Sequence, residues 1–137
     1  NRRTPIELAG AGVRALEELA QTSSVRLWVH TYFRSDVEHM RMLLESSVPI
    51  VGVGVVENDP LGLREESEGR EIALGIVDSR NTRRERLKEL CNLVITFLDG
   101  GAKVTYITPN AMLDFLPEKI AYRKLRVLVG VSRRLGG

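Results

Sequence analysis

Short, nearly unbroken apolar runs alternate in this chain with stretches where apolar residues recur every three or four positions. The first pattern suits strands covered on both faces of a parallel sheet, the second amphipathic helices. The clearest example covers residues 71–101. Residues 72–77 read as a buried strand, and Asp78-Ser79-Arg80-Asn81 as a polar turn. Thr82 and Glu85 then have the spacing of a capping box, in which hydroxyl and carboxylate satisfy the first free amides of a helix. Leu87, Leu90, Cys91, Val94, Phe97 and Leu98 make that helix's apolar stripe. Asp99-Gly100-Gly101 ends it, since glycine takes a left-handed C-cap at little cost. A strand over 103–107 completes a βαβ unit.

The same reading extends to both sides. Thr4-Pro5-Ile6-Glu7 is a helix start, and Leu8, Gly12, Ala15, Leu16, Leu19 and Ala20 supply its buried face. This N-terminal helix occupies 1–22, and a strand follows over 25–29. His30-Thr31-Tyr32-Phe33-Arg34 comes next, then a second capping box at Ser35 and Glu38 with Val37, Met40, Leu43 and Leu44 behind it. Residues 48–56 form another apolar run. Its Gly52 and Gly54 lie within the run, without the third glycine or the strand-to-helix context of a dinucleotide loop. They read as sheet positions against which something packs closely. Residues 57–70 read as an acidic surface loop or insertion carrying Glu65, Glu66 and Glu68. Thr108-Pro109-Asn110-Ala111 reads as a further helix start, residues 125–129 as a last strand, and Gly130 as the turn out of it. The expected fold is one α/β domain over 1–137: Rossmann-like and doubly wound, a mainly parallel sheet with helices on both faces, preceded by one helix.

Composition narrows the class of function. The chain has 137 residues, 43% hydrophobic and 28% charged, which is ordinary for a globular domain. Its 20 basic and 18 acidic residues leave a net charge of only +2, and aromatics make up 5%, a thin supply for base stacking. Cys91 is the single cysteine, which excludes an internal disulfide and fits a reducing compartment, the cytoplasm. Its place on the apolar stripe makes it a core residue. The apolar runs are too short to cross a bilayer, and no signal peptide is visible. The chain begins at Asn1, as a fragment or processed form would.

Open α/β sheets place ligands at the C-terminal ends of their strands. The candidate positions there are His30, Thr31, Asp78, Ser79, Arg80, Thr108 and Asn110. No set of metal ligands accompanies His30, and no cofactor is implied. Arg83, Arg84, Arg86 and Lys88 form one basic run; Arg133 and Arg134, with Lys119, Arg123, Lys124 and Arg126, form another.

Taken in order, several pieces carry a resemblance. They are Ile76-Val77-Asp78-Ser79-Arg80, Leu98-Asp99-Gly100-Gly101-Ala102-Lys103-Val104-Thr105-Tyr106-Ile107, Ala111, Leu116-Pro117-Glu118 and Leu125-Arg126-Val127-Leu128-Val129-Gly130. They resemble the C-terminal Rossmann-like domain of the α, β and δ regulatory subunits of translation initiation factor 2B, most of all δ. Methylthioribose-phosphate and ribose-bisphosphate isomerases share that fold. A competing register sets the family's E-G-R-E-L-A piece on residues 68–73. The resemblance implies a non-catalytic, cytoplasmic regulatory subunit in guanine-nucleotide exchange on initiation factor 2. Such a subunit pairs with other initiation-factor subunits as a hetero- or homo-oligomer and meets a phosphorylated protein. The isomerases need an aspartate after the last strand and a cysteine at a strand end. Here Val131-Ser132 and a mid-helix Cys91 stand instead, so the resemblance implies no isomerase chemistry. The family's two further strands are missing, so the domain reads as truncated, diverged or completed by another chain. Two alternatives remain: a sugar-phosphate isomerase-like or nucleotide-binding enzyme, and a structural subunit of a ribonucleoprotein assembly, meeting RNA through the basic runs.

Overall fold

The structure, a computed structural model, describes residues 5–32 and 34–136. Thr4, Phe33 and Gly137 lie outside the described residues. Helix α1 (Ile6–Thr22) precedes strand β1 (Trp28–His30), followed by α2 (Val37–Glu45), β2 (Ile50–Gly54), α3 (Pro60–Glu66) and β3 (Glu71–Val77). Then come α4 (Leu87–Asp99), β4 (Lys103–Pro109) and α5 (Glu118–Arg134). The expected class is the one observed: an α/β, Rossmann-like arrangement with a parallel sheet, helices packed on it and a leading N-terminal helix. The sheet order is β1-β2-β3-β4, every pair parallel. The order follows the chain without reversing, so these strands make one arm of such a sheet.

Side chains alternate between the faces of a strand, and here the faces differ sharply. Val51, Val53, Ile72, Leu74 and Ile76 point into a core completed by Met40, Leu43 and Leu44 of α2, Leu63 of α3 and Leu90, Cys91, Val94 and Phe97 of α4. Cys91 is thus a core residue, as its position on the stripe predicts. The opposite face of the central strands carries Gly52, Gly54, Ala73 and Gly75, paired across the strands as Gly52↔Ala73 and Gly54↔Gly75. A Cβ on Gly52 would stand 2.0 Å from Nδ1 of His30, and one on Gly75 would meet the Asn110 and Gly54 backbones at 3.2–3.3 Å. The close packing expected at Gly52 is therefore present, whereas a Cβ on Gly54 would meet only the Asn110 Cβ at 3.9 Å, an ordinary contact.

The α4 terminus also follows expectation. Gly101 has φ +83°, Ala102 N–H donates to Phe97 O at 3.1 Å and Gly101 N–H to Leu98 O at 3.0 Å, the two bonds of a Schellman motif.

Other elements differ from expectation, each for a local reason. Residues 57–70 contain α3 rather than a surface loop or insertion. Asp59 caps the helix, its carboxylate accepting from Leu61 N and Gly62 N at 3.2 and 3.3 Å, and Pro60 takes the first helical position. Glu66 pairs with Arg41 of α2 at 2.7 Å, so the acidic cluster belongs partly to helix packing.

The chain after β4 forms no helix over 110–117, because the Asn110 side chain is engaged elsewhere and Pro117 stands ahead of the next helix. Residues 125–129 are helical rather than a last strand. Over the longer window Lys124, Leu128 and Val131 are buried at helical spacing, with Val127 and Leu135 packed beside them. Gly130 is not a turn: it lies under Leu87, where α5 crosses α4.

Both internal capping boxes are absent. α4 starts at Leu87 after Arg86, and Glu85 instead forms an ion pair with Lys124, whose side chain is fully buried. α2 starts at Val37 after Asp36, while Ser35 N–H donates to Asn58 Oδ1 at 3.2 Å. On α1, Leu8, Gly12, Ala15 and Leu19 are exposed; Leu16 packs inward as expected, together with Gly10 and Val13.

Two stability outcomes are expected. Gly52→Ala forces a methyl group into the His30 ring and should lower unfolding free energy by about 1–3 kcal/mol in denaturant titration. Lys124→Met leaves the Glu85 carboxylate without its buried cation and should destabilise by about 3–5 kcal/mol, whereas adding Glu85→Leu should recover most of that loss.

Candidate functional site

β1 and β4 are the two ends of the sheet order, yet their side chains meet. Neighbouring strands lie about 4.8 Å apart, so in a flat sheet these two would be separated by about 14 Å. Trp28 of β1 and Tyr106 of β4 nevertheless stack with ring centroids 5.1 Å apart and planes 13° from parallel. His30 reaches the residue just past that strand, its Nε2 3.4 Å from the Asn110 carbonyl oxygen. The sheet is therefore strongly coiled, with the small residues of β2 and β3 on its hollow side.

Asn110 gathers the strand ends. Its backbone N–H donates to Val77 O at 2.9 Å, and its side-chain oxygen accepts from Ser79 N–H at 2.9 Å and Ser79 Oγ at 2.8 Å. Ser79 and Asn110 are both buried, so this pairing satisfies polar groups that would otherwise lack partners. Asp78 shapes the turn, accepting from Arg80 N–H at 2.9 Å and from the Asn81 amide. Arg80 pairs with Glu57 beyond β2, and the Asn58 amide donates to Gly54 O at 2.7 Å. Thr31 donates its hydroxyl to Gly52 O at 3.3 Å.

Beside this polar ring lies a cavity of about 500 Å³ lined by Trp28, His30, Tyr32, Thr108, Pro109, Ala111, Met112, Leu113 and Asp114. Its size is that of a small-molecule site. His30 and Thr108 contribute to it directly. Asp78, Ser79, Arg80 and Asn110 form the network that anchors its rim, and Thr31 ties β1 to β2. The seven positions lie at or just past the C-terminal ends of β1, β3 and β4, and they split between lining and support.

A carbonyl oxygen can only accept, so Nε2 of His30 carries the hydrogen that faces Asn110. Nδ1 is then bare, buried and without a partner. Burial lowers the imidazole pKa below its ordinary value, more than the Asn110 bond raises it, so the ring is neutral at pH 7. Thr108 Oγ1 is likewise buried without a partner. At the opposite rim Glu71 accepts from Thr105 at 2.8 Å and pairs with Arg26 and Lys103, contacts that hold its carboxyl below the usual range. Among the described residues, no three His, Cys, Asp or Glu side chains converge to hold a metal ion.

The basic residues form no single patch. Arg83 N–H donates to Asn81 Oδ1, and its carbonyl accepts from Lys124. Arg86 pairs with Glu89 at 3.2 Å, while Arg84 and Lys88 are exposed. Arg133 and Arg134 stand in the last turn of α5, ten residues beyond the Arg123 and Lys124 contacts with that connection, about 15 Å along the helix.

The lining residues absent from the sequence reading are Trp28, Tyr32, Pro109 and the segment from Ala111 to Asp114. A signal was available: Trp28, His30 and Tyr32 alternate, as do Tyr106 and Thr108, and alternation places them on one face. The loop lining carries no such period.

No family model and no curated protein matches this chain. Among solved structures, a B12-independent methionine synthase from Shewanella sp. W3-18-1, in complex with selenomethionine, is similar with a TM-score of 0.78. At 18% identity the likeness is one of fold. It covers 94% of this chain and 44% of that one, so this chain spans a little under half the length of that neighbour.

The pH dependence follows from the two groups with lowered pKa values. The unfolded chain protonates His30 more readily than the folded one, so stability should fall as pH drops below about 6.5. The Glu71 contribution is present above about 4.5 and is lost on further acidification. Thermal melts between pH 7.5 and 3 should show both declines, and His30→Gln should flatten the first without removing the second.

Proposed function

We propose that this protein binds a small molecule at the C-terminal mouth of its sheet, with the ligand's apolar body against Trp28, Tyr32, Met112 and Leu113. The carrying observation is the cavity itself, aromatic and aliphatic in lining, with the His30 imidazole, its pKa lowered by burial, and the Asp114 carboxylate among its polar groups. The Asn110–Ser79 pairing supports the reading because it holds the rim without a ligand, and preorganised sites bind at lower ordering cost. An apolar body with one polar or cationic end is the ligand chemistry that suits such a lining.

Trp28 is the sole tryptophan and lines the cavity, so its emission reports occupancy. A titration panel should include methionine, the product named for the structural neighbour, together with aromatic amino acids, nucleotides and sugar phosphates. A saturable change with at least one class is expected, and Ala111→Trp, which fills the space, should weaken it by about tenfold or more, or 1.4 kcal/mol. A flat response across the whole panel would count against the reading.

A second reading is a non-catalytic assembly subunit of the cytoplasm, as the resemblance to initiation factor 2B regulatory subunits implies. It is favoured by a basic groove of about 390 Å³ on α5, lined by Lys119, Ile120, Tyr122, Arg123 and Arg126. Guanidinium groups suit a phosphorylated partner, whereas RNA binding would weaken steeply with salt.

A further inference from the structure

We infer that the ligand of this cavity is an organic monocation, an ammonium group on an apolar body, with its charge held between the Trp28 and Tyr32 rings and the Asp114 carboxylate. The inference rests on the proposed ligand site and names the chemistry which that site selects.

Trp28, His30 and Tyr32 alternate along β1 and just past it, so they rise from one face. Their rings meet in series. Trp28 and His30 stand edge to face with centroids 6.2 Å apart, and His30 and Tyr32 do the same at 5.5 Å. Trp28 and Tyr32 both line the cavity and remain 40% and 48% exposed. Tyr106 stacks on one face of Trp28 and so holds the indole plane in place. An aromatic ring has a negative face, and a cation within about 6 Å of its centroid is attracted to it. The middle ring does not cancel that attraction. Burial lowers the His30 pKa and its Nε2–H is directed at the Asn110 carbonyl, so the imidazole adds no positive charge to the lining.

The carboxylates beyond the strand ends decide the sign of the ligand's charge. Glu57 pairs with Arg80, and Asp78 accepts from Arg80 N–H and the Asn81 amide. Asp114 lines the cavity and has no ion-pair partner among the described residues. Among those residues, no lysine or arginine belongs to the lining. An ammonium in the cavity therefore gains a counter-charge, whereas a carboxylate meets Asp114 with nothing to offset the repulsion. The same argument disfavours amino acids, in which a carboxylate accompanies the ammonium. Met112 and Leu113 receive the apolar body, within about 500 Å³.

The test is isothermal titration calorimetry of the 137-residue chain at pH 7 with phenethylamine, 2-phenylethanol, 3-phenylpropionate and phenylalanine. These probes share one ring and differ in charge: cation, neutral molecule, anion and zwitterion. Phenethylamine is expected to bind about tenfold more tightly than 2-phenylethanol, and the other two more weakly than either. Asp114 is exposed, so Asp114→Asn should keep the parent's far-UV circular dichroism while reducing phenethylamine affinity to that of the alcohol. Should that variant fail to fold, Tyr32→Leu, also at an exposed position, takes its place and should narrow the gap between amine and alcohol. Equal or tighter binding of the alcohol, the acid or phenylalanine overturns the inference and leaves a small-molecule site standing. Unchanged phenethylamine affinity in folded Asp114→Asn overturns it too. Silence from all four probes also overturns it, whereas the ligand-site reading falls only if nucleotides and sugar phosphates are silent as well.

Discussion

The lack of side-chain bulk on one face of the two central strands is the constraint on which this structure depends. Gly52, Gly54, Ala73 and Gly75 sit side by side, and nothing larger than a methyl group rises from them. A sheet with branched residues on both faces would hold its outer strands apart. Here the outer strands fold inward, and the His30 ring descends onto Gly52 closely enough that even an alanine would collide with it. The opposite face has the reverse character: Val51, Val53, Ile72, Leu74 and Ile76 bind the helices through an apolar core. Stability comes chiefly from the second face and shape from the first.

Coiling brings polar strand ends into a confined space, and such groups are costly to bury unpaired. Asn110 resolves most of that demand. Its backbone closes onto Val77, its carbonyl faces His30 and its amide oxygen takes both Ser79 donors. One residue thus connects the ends of three strands, through backbone and side chain together, and sets where residues 110–117 begin their path over the mouth. Nδ1 of His30 and Oγ1 of Thr108, both from cavity-lining residues, are left without hydrogen-bond partners, as are single atoms of His39, Glu57, Arg70 and Arg123 outside the cavity lining.

The sheet and most helices were legible because their signals are long or physically specific. The 72–77 run, the α4 stripe and the Gly100-Gly101 stop all correspond to observed features. The elements that differ from the sequence pattern share a cause: their conformation depends on partners far away in sequence. Leu125 to Val129 has strand propensity, and the helical period around it is masked because Lys124 occupies a core position. Glu85 and the Arg83 carbonyl, far away in sequence, make that burial tolerable. The same Glu85 was then unavailable for the capping box that its spacing suggested. Asn58-Asp59-Pro60, by contrast, was a legible helix start obscured by the acidic residues after it. At the site, strand-end positions could be read from topology alone. The roof over 111–114 could not, because its place is set by tertiary contacts rather than periodicity.

The cavity and the coil of the sheet have one origin. To make a hollow at the strand ends, the sheet must coil; once coiled, it holds its outer strands at an angle that extends naturally into further parallel strands. A flat four-stranded sheet could end at its edges with charged side chains pointing outward. In this sheet the edge charges turn toward Glu71, and the aromatic residues of the outer strands face the hollow while staying partly exposed. On this reasoning the small residues of β2 and β3 determine where a ligand would sit, because they let the outer strands bring Trp28, His30 and Thr108 to one hollow.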